Sequence, residues 1–185
     1  LTGADLTGGD LAGVDLTGAN LKHTILTDAN LSGANLSGSI LEYTNLTQAN
    51  LTGADLTGSS SLDDIFPPRW VNLTGADLTG ANLSGVDLVH STLSETILIQ
   101  ANLSGANLNN INFSSYDFSE ANLSGADLSY ANLTGANLTG TNLTSSKLHT
   151  ADLSGANLTG AVLTGATLSS VKSGSVTGAP TLPTD

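Results

Sequence analysis

The chain has 185 residues, of which 39% are hydrophobic and only 11% charged, and it contains neither Cys nor Met. This length fits one ordinary domain, and the lack of Cys excludes both a disulfide framework and thiolate chemistry. The formal net charge of −12, with only 4 Lys and Arg residues, disfavours binding to nucleic acid or to an anionic membrane. No purely apolar run exceeds three residues, so the sequence predicts neither a transmembrane helix nor a signal-peptide core.

A central residue recurs every five positions from Leu1 to Leu56 and again from Leu73 to Leu168, 32 times in all. It is Leu except at Phe113 and Phe118. A small residue, usually Ala, stands two positions before it, and Asn or Asp usually stands directly before it. Ser or Thr and then often Gly follow it. A period of five fits neither a helix nor a long strand, whereas these residue types favour turns. A chain that turns by a fixed amount in each unit winds into a solenoid.

The unit A-(D/N)-L-(S/T)-G resembles the pentapeptide-repeat family, of the type common in cyanobacteria, over residues 1–168 with one interruption. The resemblance implies an all-β fold, a right-handed quadrilateral β-helix in which four pentapeptides form each coil, one on each side. The central residue and the small residue would point inward, and the other three would face solvent. About eight coils, three before the interruption and five after it, would extend about 38 Å at a spacing of about 4.8 Å. Inward Ser and Thr residues are then expected at Thr24, Ser39, Thr44, Ser91, Thr96, Thr141 and Ser146.

The interruption reads SSSLDDIFPPRW and spans Ser59–Trp70. Because Pro67 and Pro68 have no N–H to donate, we expect an inserted loop at 59–70. It would separate a first repeat block at 1–58 from a second at 71–170, the two blocks forming one continuous domain. Two interpretations stay open. The loop is either a tolerated insertion whose apolar residues fold back on the solenoid, or a binding loop, since Trp and Arg are favoured interface anchors.

Two further regions depart from the repeat. Between residues 108 and 127, Ile111 and Tyr116 replace the small inward residue beside the two central Phe residues. These bulky side chains have to swell the coil or push it into a bulge, which we interpret as core repacking rather than a ligand pocket. The C-terminal tail at 171–185 lacks further Leu at this spacing, and either covers the end of the solenoid or is disordered. The start in mid-repeat predicts a processed chain, flanking domains, or an end-to-end dimer.

In a coil of four pentapeptides, the vertical neighbours can be read directly from the sequence. Lys22 would pair with Glu42, Asp127 with Lys147, and His23 would stack on Tyr43. Asp directly before a central residue is never followed by Asp at the equivalent position of the next coil, which avoids stacked like charges. The three His residues offer no metal site, and the carboxylates face outward without a cleft. We therefore expect no enzyme activity, no metal and no cofactor. The many Asn-Leu-Ser and Asn-Leu-Thr sequons are by-products of the repeat.

The sequence favours a non-enzymatic structural or protein-interaction module with an unknown protein partner, no nucleic acid and no membrane insertion. Its compartment stays open between the cytoplasm and a periplasmic or thylakoid-lumenal space. The candidate contact residues are Phe66, Arg69 and Trp70, with a secondary apolar patch at Ile97 and Ile99. One alternative, which the resemblance suggests, is an acidic DNA mimic that binds a DNA-processing enzyme such as gyrase. The net charge works against it, at one per about 3 Å instead of about 1.7 Å in duplex DNA.

A further alternative is a solenoid that binds ice or a mineral surface through a row of hydroxyls. Thr7, Thr27 and Thr47 would stack on one side of the first block. The corresponding rows of the second block mix Ser, Thr, Val, Asn and His, so a flat Thr array is predicted to be short.

Overall fold

The computed structural model describes residues 1–59 and 71–178. Over these residues the backbone forms no helix and no strand longer than one residue; each pentapeptide makes a two-residue turn and then a single β-bridge. None of them belongs to a helix able to cross a membrane. The chain divides into two compact units, Leu1–Ile97 and Leu98–Asp185, and each is described by itself.

In the first unit, parallel bridges join equivalent residues of successive coils. Asp5 pairs with Ile25 and Asn20 with Ile40. The Leu6 N–H donates to the carbonyl oxygen of Ile25 at 2.8 Å, and the Ile25 N–H donates to that of Ala4 at 2.9 Å. Because bridged residues lie four pentapeptides apart in the chain, each coil has four sides. We call the stacked equivalent positions on one side a column.

The second unit repeats this pattern. Its bridges run from Asn102 paired with Asn122 to Asn157 paired with Thr177, again four pentapeptides apart. The last bridges lie beyond the last central Leu: Lys172 pairs with Asp152, and its N–H donates to the carbonyl oxygen of Ala151 at 2.9 Å. The ladder therefore continues into the segment that the sequence suggested as a tail, because backbone bridges do not need a Leu at each central position.

The interruption leaves the register of the first unit unchanged. Asn45 pairs with Asn72 and Asp55 with Asn82, seven positions farther along the chain than the regular spacing would place the partner. Seven residues are thus added to one coil, and Leu73 comes into register with Leu46. The next position in the column of Ile40 falls within the interruption, outside the described residues. The sequence analysis placed the interruption between two blocks of complete coils. The alignment of Leu46 with Leu73 does not follow from that division.

The core consists of stacked central residues and small inward residues. Leu21, Leu46 and Ala49 are fully buried. The inward Thr side chains are also satisfied: Thr44 donates to the carbonyl oxygen of Leu21 at 2.8 Å, and Thr141 donates to that of Phe118 at 2.8 Å. The Oγ atoms of the shorter inward residues are buried and have no hydrogen-bond partner within the described chain, at Ser39, Ser91 and Ser146.

The aromatic region is repacked without a bulge. Phe113 and Phe118 are fully buried, with ring centroids 5.1 Å apart in an edge-to-face arrangement. Their N–H groups donate to the carbonyl oxygens of Asn132 and Asn137 at 2.7 and 2.8 Å. Because these hydrogen bonds are as short as those elsewhere in the ladder, the larger rings fit inside the coil. Tyr116, half-buried, packs against Phe113 at a centroid distance of 5.3 Å.

Candidate functional site

The Asn or Asp before each central residue closes the following turn. The Oδ1 atom of Asn45 accepts the N–H of Thr47 at 3.1 Å and the Thr47 hydroxyl at 2.6 Å. Asp77 accepts the same two groups of Thr79 at 3.0 and 2.6 Å. This is the side-chain-to-backbone turn for which Asn, Asp and Ser/Thr are suited. The repeat signature in the sequence is thus the signature of these hydrogen bonds.

The same hydrogen bonds hold several carboxyl groups ionised. The hydroxyl and then the N–H of Thr7 lower the pKa of Asp5. For Asp117, burial raises the pKa, but hydrogen bonds from Ser119 and Asn137 outweigh it, and the net pKa lies below its usual range. A carboxylate whose charged form is stabilised in this way serves the fold, in contrast to a catalytic acid, whose pKa is raised.

The amide nitrogens of the same residues join neighbouring coils. Asn122 Nδ2 donates to Asn102 Oδ1 at 3.0 Å, and Asn142 Nδ2 donates to Asn122 Oδ1 at 3.1 Å. In another column Asn137 Nδ2 donates to Asp117 Oδ1 at 3.0 Å. These asparagines therefore use both ends of the side-chain amide within the solenoid, and we call them the asparagine ladder.

The row of Thr residues in the first unit is longer than the sequence predicted. The Gln48 N–H donates to the carbonyl oxygen of Thr74 at 2.8 Å, so the preserved register adds Thr74 to Thr7, Thr27 and Thr47. The hydroxyl of Thr47 donates to Asn45 and accepts from Asn72 Nδ2 at 2.9 Å. These hydroxyls are engaged by the protein itself.

The residue two positions after the central residue has positive φ in both units. Gly occupies most of these turn positions, with φ near 65°. Several larger residues also adopt this conformation, including Tyr43 at φ 56°, Tyr130 at φ 61° and Thr150 at φ 58°. Because the left-handed region costs an L-residue roughly 1–2 kcal/mol, these turns carry local strain.

The predicted vertical contacts are confirmed. Lys22 Nζ lies 2.8 Å from Glu42 Oε2, and Lys147 Nζ lies 3.3 Å from Asp127 Oδ2. The rings of His23 and Tyr43 are stacked, with their centroids 4.8 Å apart and an angle of 2° between the ring planes.

A third ion pair, Lys172 to Asp152 at 3.6 Å, was missed because Lys172 follows the last central Leu. The spacing of four pentapeptides was the signal that could have found it. Asp stacks on Asn, Ile or Lys in the described ladder and not on another Asp.

The candidate contact residues divide into two groups. Phe66, Arg69 and Trp70 lie outside the described residues. Ile97 is the last residue of the first unit and is 41% exposed, and Ile99, in the second unit, is half-buried. A single exposed apolar side chain such as Ile97 is ordinary for a protein surface.

The sequence analysis missed an aromatic and polar edge in the second unit. The ring of Tyr130, 54% exposed, lies 5.4 Å from the His149 ring in an edge-to-face arrangement, and His149 Nδ1 lies 2.8 Å from Ser169 Oγ. This column has no Gly at its turn positions, which are Asn110, Tyr130, Thr150 and Ser170. The lack of Gly at every fourth turn position from Asn110 to Ser170 was the signal in the sequence that could have indicated this edge. Across the described ranges, no three His, Asp or Glu residues come close enough to hold a metal ion.

Bridges between residues four pentapeptides apart, buried central residues and Asx-type turns define a β-solenoid. The family model of the Pentapeptide repeats matches in 8 copies, over residues 1–33, 29–60, 72–110, 96–135, 106–144, 117–155 and 145–172. The chain belongs to the pentapeptide-repeat family, as the sequence predicted. Proteins of this family are generally structural or interaction modules.

Three solved structures illustrate the likeness. HetL, involved in heterocyst differentiation regulation in the cyanobacterium Nostoc sp. strain PCC 7120, is 28% identical over 95% of this chain and 87% of its own, with a TM-score of 0.43. Rfr23 from the cyanobacterium Cyanothece 51142 is 30% identical over 59% of this chain and 91% of its own, with a TM-score of 0.40. QnrB1, a plasmid-mediated fluoroquinolone resistance protein, is 19% identical over 96% of this chain and 84% of its own, with a TM-score of 0.41. No curated protein matches the chain.

Proposed function

We propose that this chain is a non-enzymatic structural and protein-interaction module that binds a protein partner through the interruption at 59–70. In this proposal the repeats form a right-handed, four-sided β-helix of about eight coils. The blocks 1–58 and 71–170 make one continuous domain, and 171–185 form the tail, whose first residues extend the ladder through the bridges of Lys172 and Thr177. The module works without a cofactor or metal.

The observation that carries the proposal is the unchanged register across the interruption. Bridged residues are seven positions farther apart there than elsewhere, yet Asn72, Asp77 and Asn82 pair as regular ladder residues. The seven additional residues are not required by the spacing of the ladder. The interruption also holds the chain's only Trp and only Arg, which are residue types that contribute most to binding at protein interfaces.

The regular turns offer a partner little by comparison. Their Asn, Asp and Thr side chains bond to the protein's own backbone and to the next coil, as Asn45, Thr47 and Asn72 show. We therefore assign the main contacts to Phe66, Arg69 and Trp70. Ile97 is a secondary candidate because of its exposure, and Ile99 follows it in the chain.

Two other functions receive less support. A DNA mimic presents continuous lines of negative charge, whereas Asp in the described ladder is interleaved with Asn, Ile and Lys. Binding to ice or a mineral surface needs free hydroxyls, whereas the hydroxyls of the Thr row, such as that of Thr47, are engaged internally.

The test is an affinity capture with the intact chain and with a closed-coil variant. In this variant Ser59–Trp70 is replaced by the five residues Ala-Asn-Leu-Thr-Gly. The twelve residues removed and five added restore the regular spacing of four pentapeptides, so that every other turn is kept. The proposal predicts a protein partner that is bound by the intact chain and lost by the closed-coil variant. Equal binding by both would refute the role of the interruption.

Point variants then separate the contact residues. Arg69→Gln and Trp70→Ala should each weaken capture at least about tenfold, as expected for interface anchors. Ile25→Ser is the matched control, because Ile25 is 39% exposed and belongs to no proposed contact. Ile97→Ser tests separately whether the secondary candidate takes part.

A further inference from the structure

The asparagine ladder has a consequence for covalent modification. The chain contains thirteen N-glycosylation sequons, each formed by an Asn directly before a central residue and the Ser or Thr two positions later. A sequon is modified only where its Asn side chain is accessible to the transferase, and a folded glycoprotein carries the glycan on its surface. The sequon asparagines are Asn30, Asn35, Asn45, Asn50, Asn72, Asn82, Asn102, Asn112, Asn122, Asn132, Asn137, Asn142 and Asn157.

Nine of these asparagines use the acceptor nitrogen to bind the preceding coil. Their Nδ2 atoms donate to a side-chain oxygen of that coil at distances from 2.9 Å, as for Asn132 to Asn112, to 3.3 Å, as for Asn50 to Asn30. The others of this kind are Asn30, Asn45, Asn72, Asn122, Asn137, Asn142 and Asn157.

The rest of each sequon is engaged as well. Asn122 Oδ1 accepts both the Ser124 N–H at 3.2 Å and the Asn142 amide at 3.1 Å. In Asn132, Asn137 and Asn157 the sequon hydroxyl itself donates to Oδ1 at 2.6 Å. The amide plane is therefore fixed, with Nδ2 directed at a neighbouring coil that lies only about 4.8 Å away.

The Nδ2 atom carries two hydrogens, and a glycan replaces one of them with a sugar ring beside the preceding coil, which this atom already contacts. Neighbouring sequons increase the conflict, because Asn102, Asn122 and Asn142 lie one above another in one column. Glycan transfer before folding would mark many sequons at once, since an unfolded chain exposes all of them.

We infer that N-glycosylation and folding exclude each other in this chain, so that its working form is produced where no N-glycosylation machinery modifies it. Four sequon asparagines lie outside this set of nine, and the exposed Asn112 makes the inference specific. Its Oδ1 accepts from Ser114 and Asn132, and its Nδ2 makes no hydrogen bond to another described residue of the second unit. A glycan on Nδ2 of Asn112 therefore leaves the hydrogen bonds of the second unit intact.

The experiment places the full chain behind a cleavable secretory leader in a translation system supplemented with microsomes. Glycans are counted by the gel shift that a glycosidase reverses, and folding is read from protease resistance after detergent lysis. Glycosylated molecules should be digested at least about tenfold faster than unglycosylated molecules from the same reaction, because they lack the protection of the folded ladder. The same chain made with a glycosylation inhibitor should be resistant. Equal resistance of both forms would overturn the inference.

Two single-sequon variants test the mechanism. In each, the Ser or Thr of twelve sequons becomes Ala, as occurs naturally at Ala12, whose N–H donates to Asp10 Oδ1 at 3.3 Å. One variant keeps the sequon of Asn122 and the other keeps that of Asn112. Glycosylation should abolish protease resistance in the first and leave it unchanged in the second. Loss of resistance in both would refute the assignment to the ladder hydrogen bond, and loss in neither would refute the inference. If the Ala changes prevent folding, the unmodified chain with and without inhibitor decides.

Discussion

Replacement of Thr150 by Gly is expected to stabilise the protein. Thr150 lies at a turn position with φ 58°, where a β-branched side chain is especially unfavourable. The left-handed conformation costs an L-residue about 1–2 kcal/mol, whereas Gly adopts it freely but loses about 0.5–1 kcal/mol more backbone entropy on folding. The difference predicts a gain of roughly 0.5–1 kcal/mol. The Thr150 N–H bond to the carbonyl oxygen of Ser169, at 2.9 Å, is retained in the variant.

The matched control is Gly105→Ala in the same unit. Gly105 has φ 67°, and a Cβ there would meet no atom within 4 Å, so the substitution adds conformational strain without a clash. It should cost about 1 kcal/mol. Urea unfolding followed by far-UV circular dichroism measures both changes as shifts of the midpoint at constant slope. A destabilised Thr150→Gly protein, or a neutral Gly105→Ala protein, would refute the assignment of strain to these turns.

Three further predictions concern the inward hydroxyls, the Asp117 carboxylate and Trp70. Ser146→Ala should stabilise the protein by up to about 1–3 kcal/mol because it removes a buried hydroxyl without a partner. Thr141→Val should destabilise it by about 1 kcal/mol, because the hydrogen bond to the Phe118 carbonyl oxygen is lost. Urea midpoints that shift in the opposite directions would contradict both expectations. Asp117 has a lowered pKa, so its contribution to stability is complete above the ordinary carboxyl pKa of about 3.9 and is lost as the pH falls through the lower folded value. The Asp117→Asn protein should therefore lose less stability between neutral pH and pH about 2.5 than the unchanged protein. An equal loss in both would contradict a stabilising role of the carboxylate. Trp70→Ala should leave the melting temperature within about 2 °C, because the proposal assigns this residue to partner recognition and not to the fold. Unfolding of this variant would make the interruption a structural clasp.

The sequence predicted much of the local structure because each pentapeptide carries the residues that form its own turn and its own part of the core. Leu at a period of five specifies the core, Asn or Asp with Ser or Thr specifies the turn, and the spacing of four pentapeptides specifies contacts such as Lys22 with Glu42. These features depend only on residues within one coil or in the next.

The register across the interruption could not be predicted in the same way. The distance from Leu56 to Leu73 is compatible with several alignments until backbone hydrogen bonds fix one. The pairing of Asn45 with Asn72 decides it, and with it the extension of the Thr row to Thr74. The inward Ser and Thr residues were predicted as one class, whereas only the Thr hydroxyls reach a carbonyl oxygen.

The closed-coil variant tests most directly whether the repeats supply the fold and the interruption supplies recognition. Its thermal unfolding should be measured beside that of the intact chain by far-UV circular dichroism. We expect a cooperative transition at the same or a higher temperature, because Ala-Asn-Leu-Thr-Gly completes a regular side of the coil. A variant that fails to fold, or that melts at a clearly lower temperature, would show that the interruption stabilises the solenoid and would contradict this expectation.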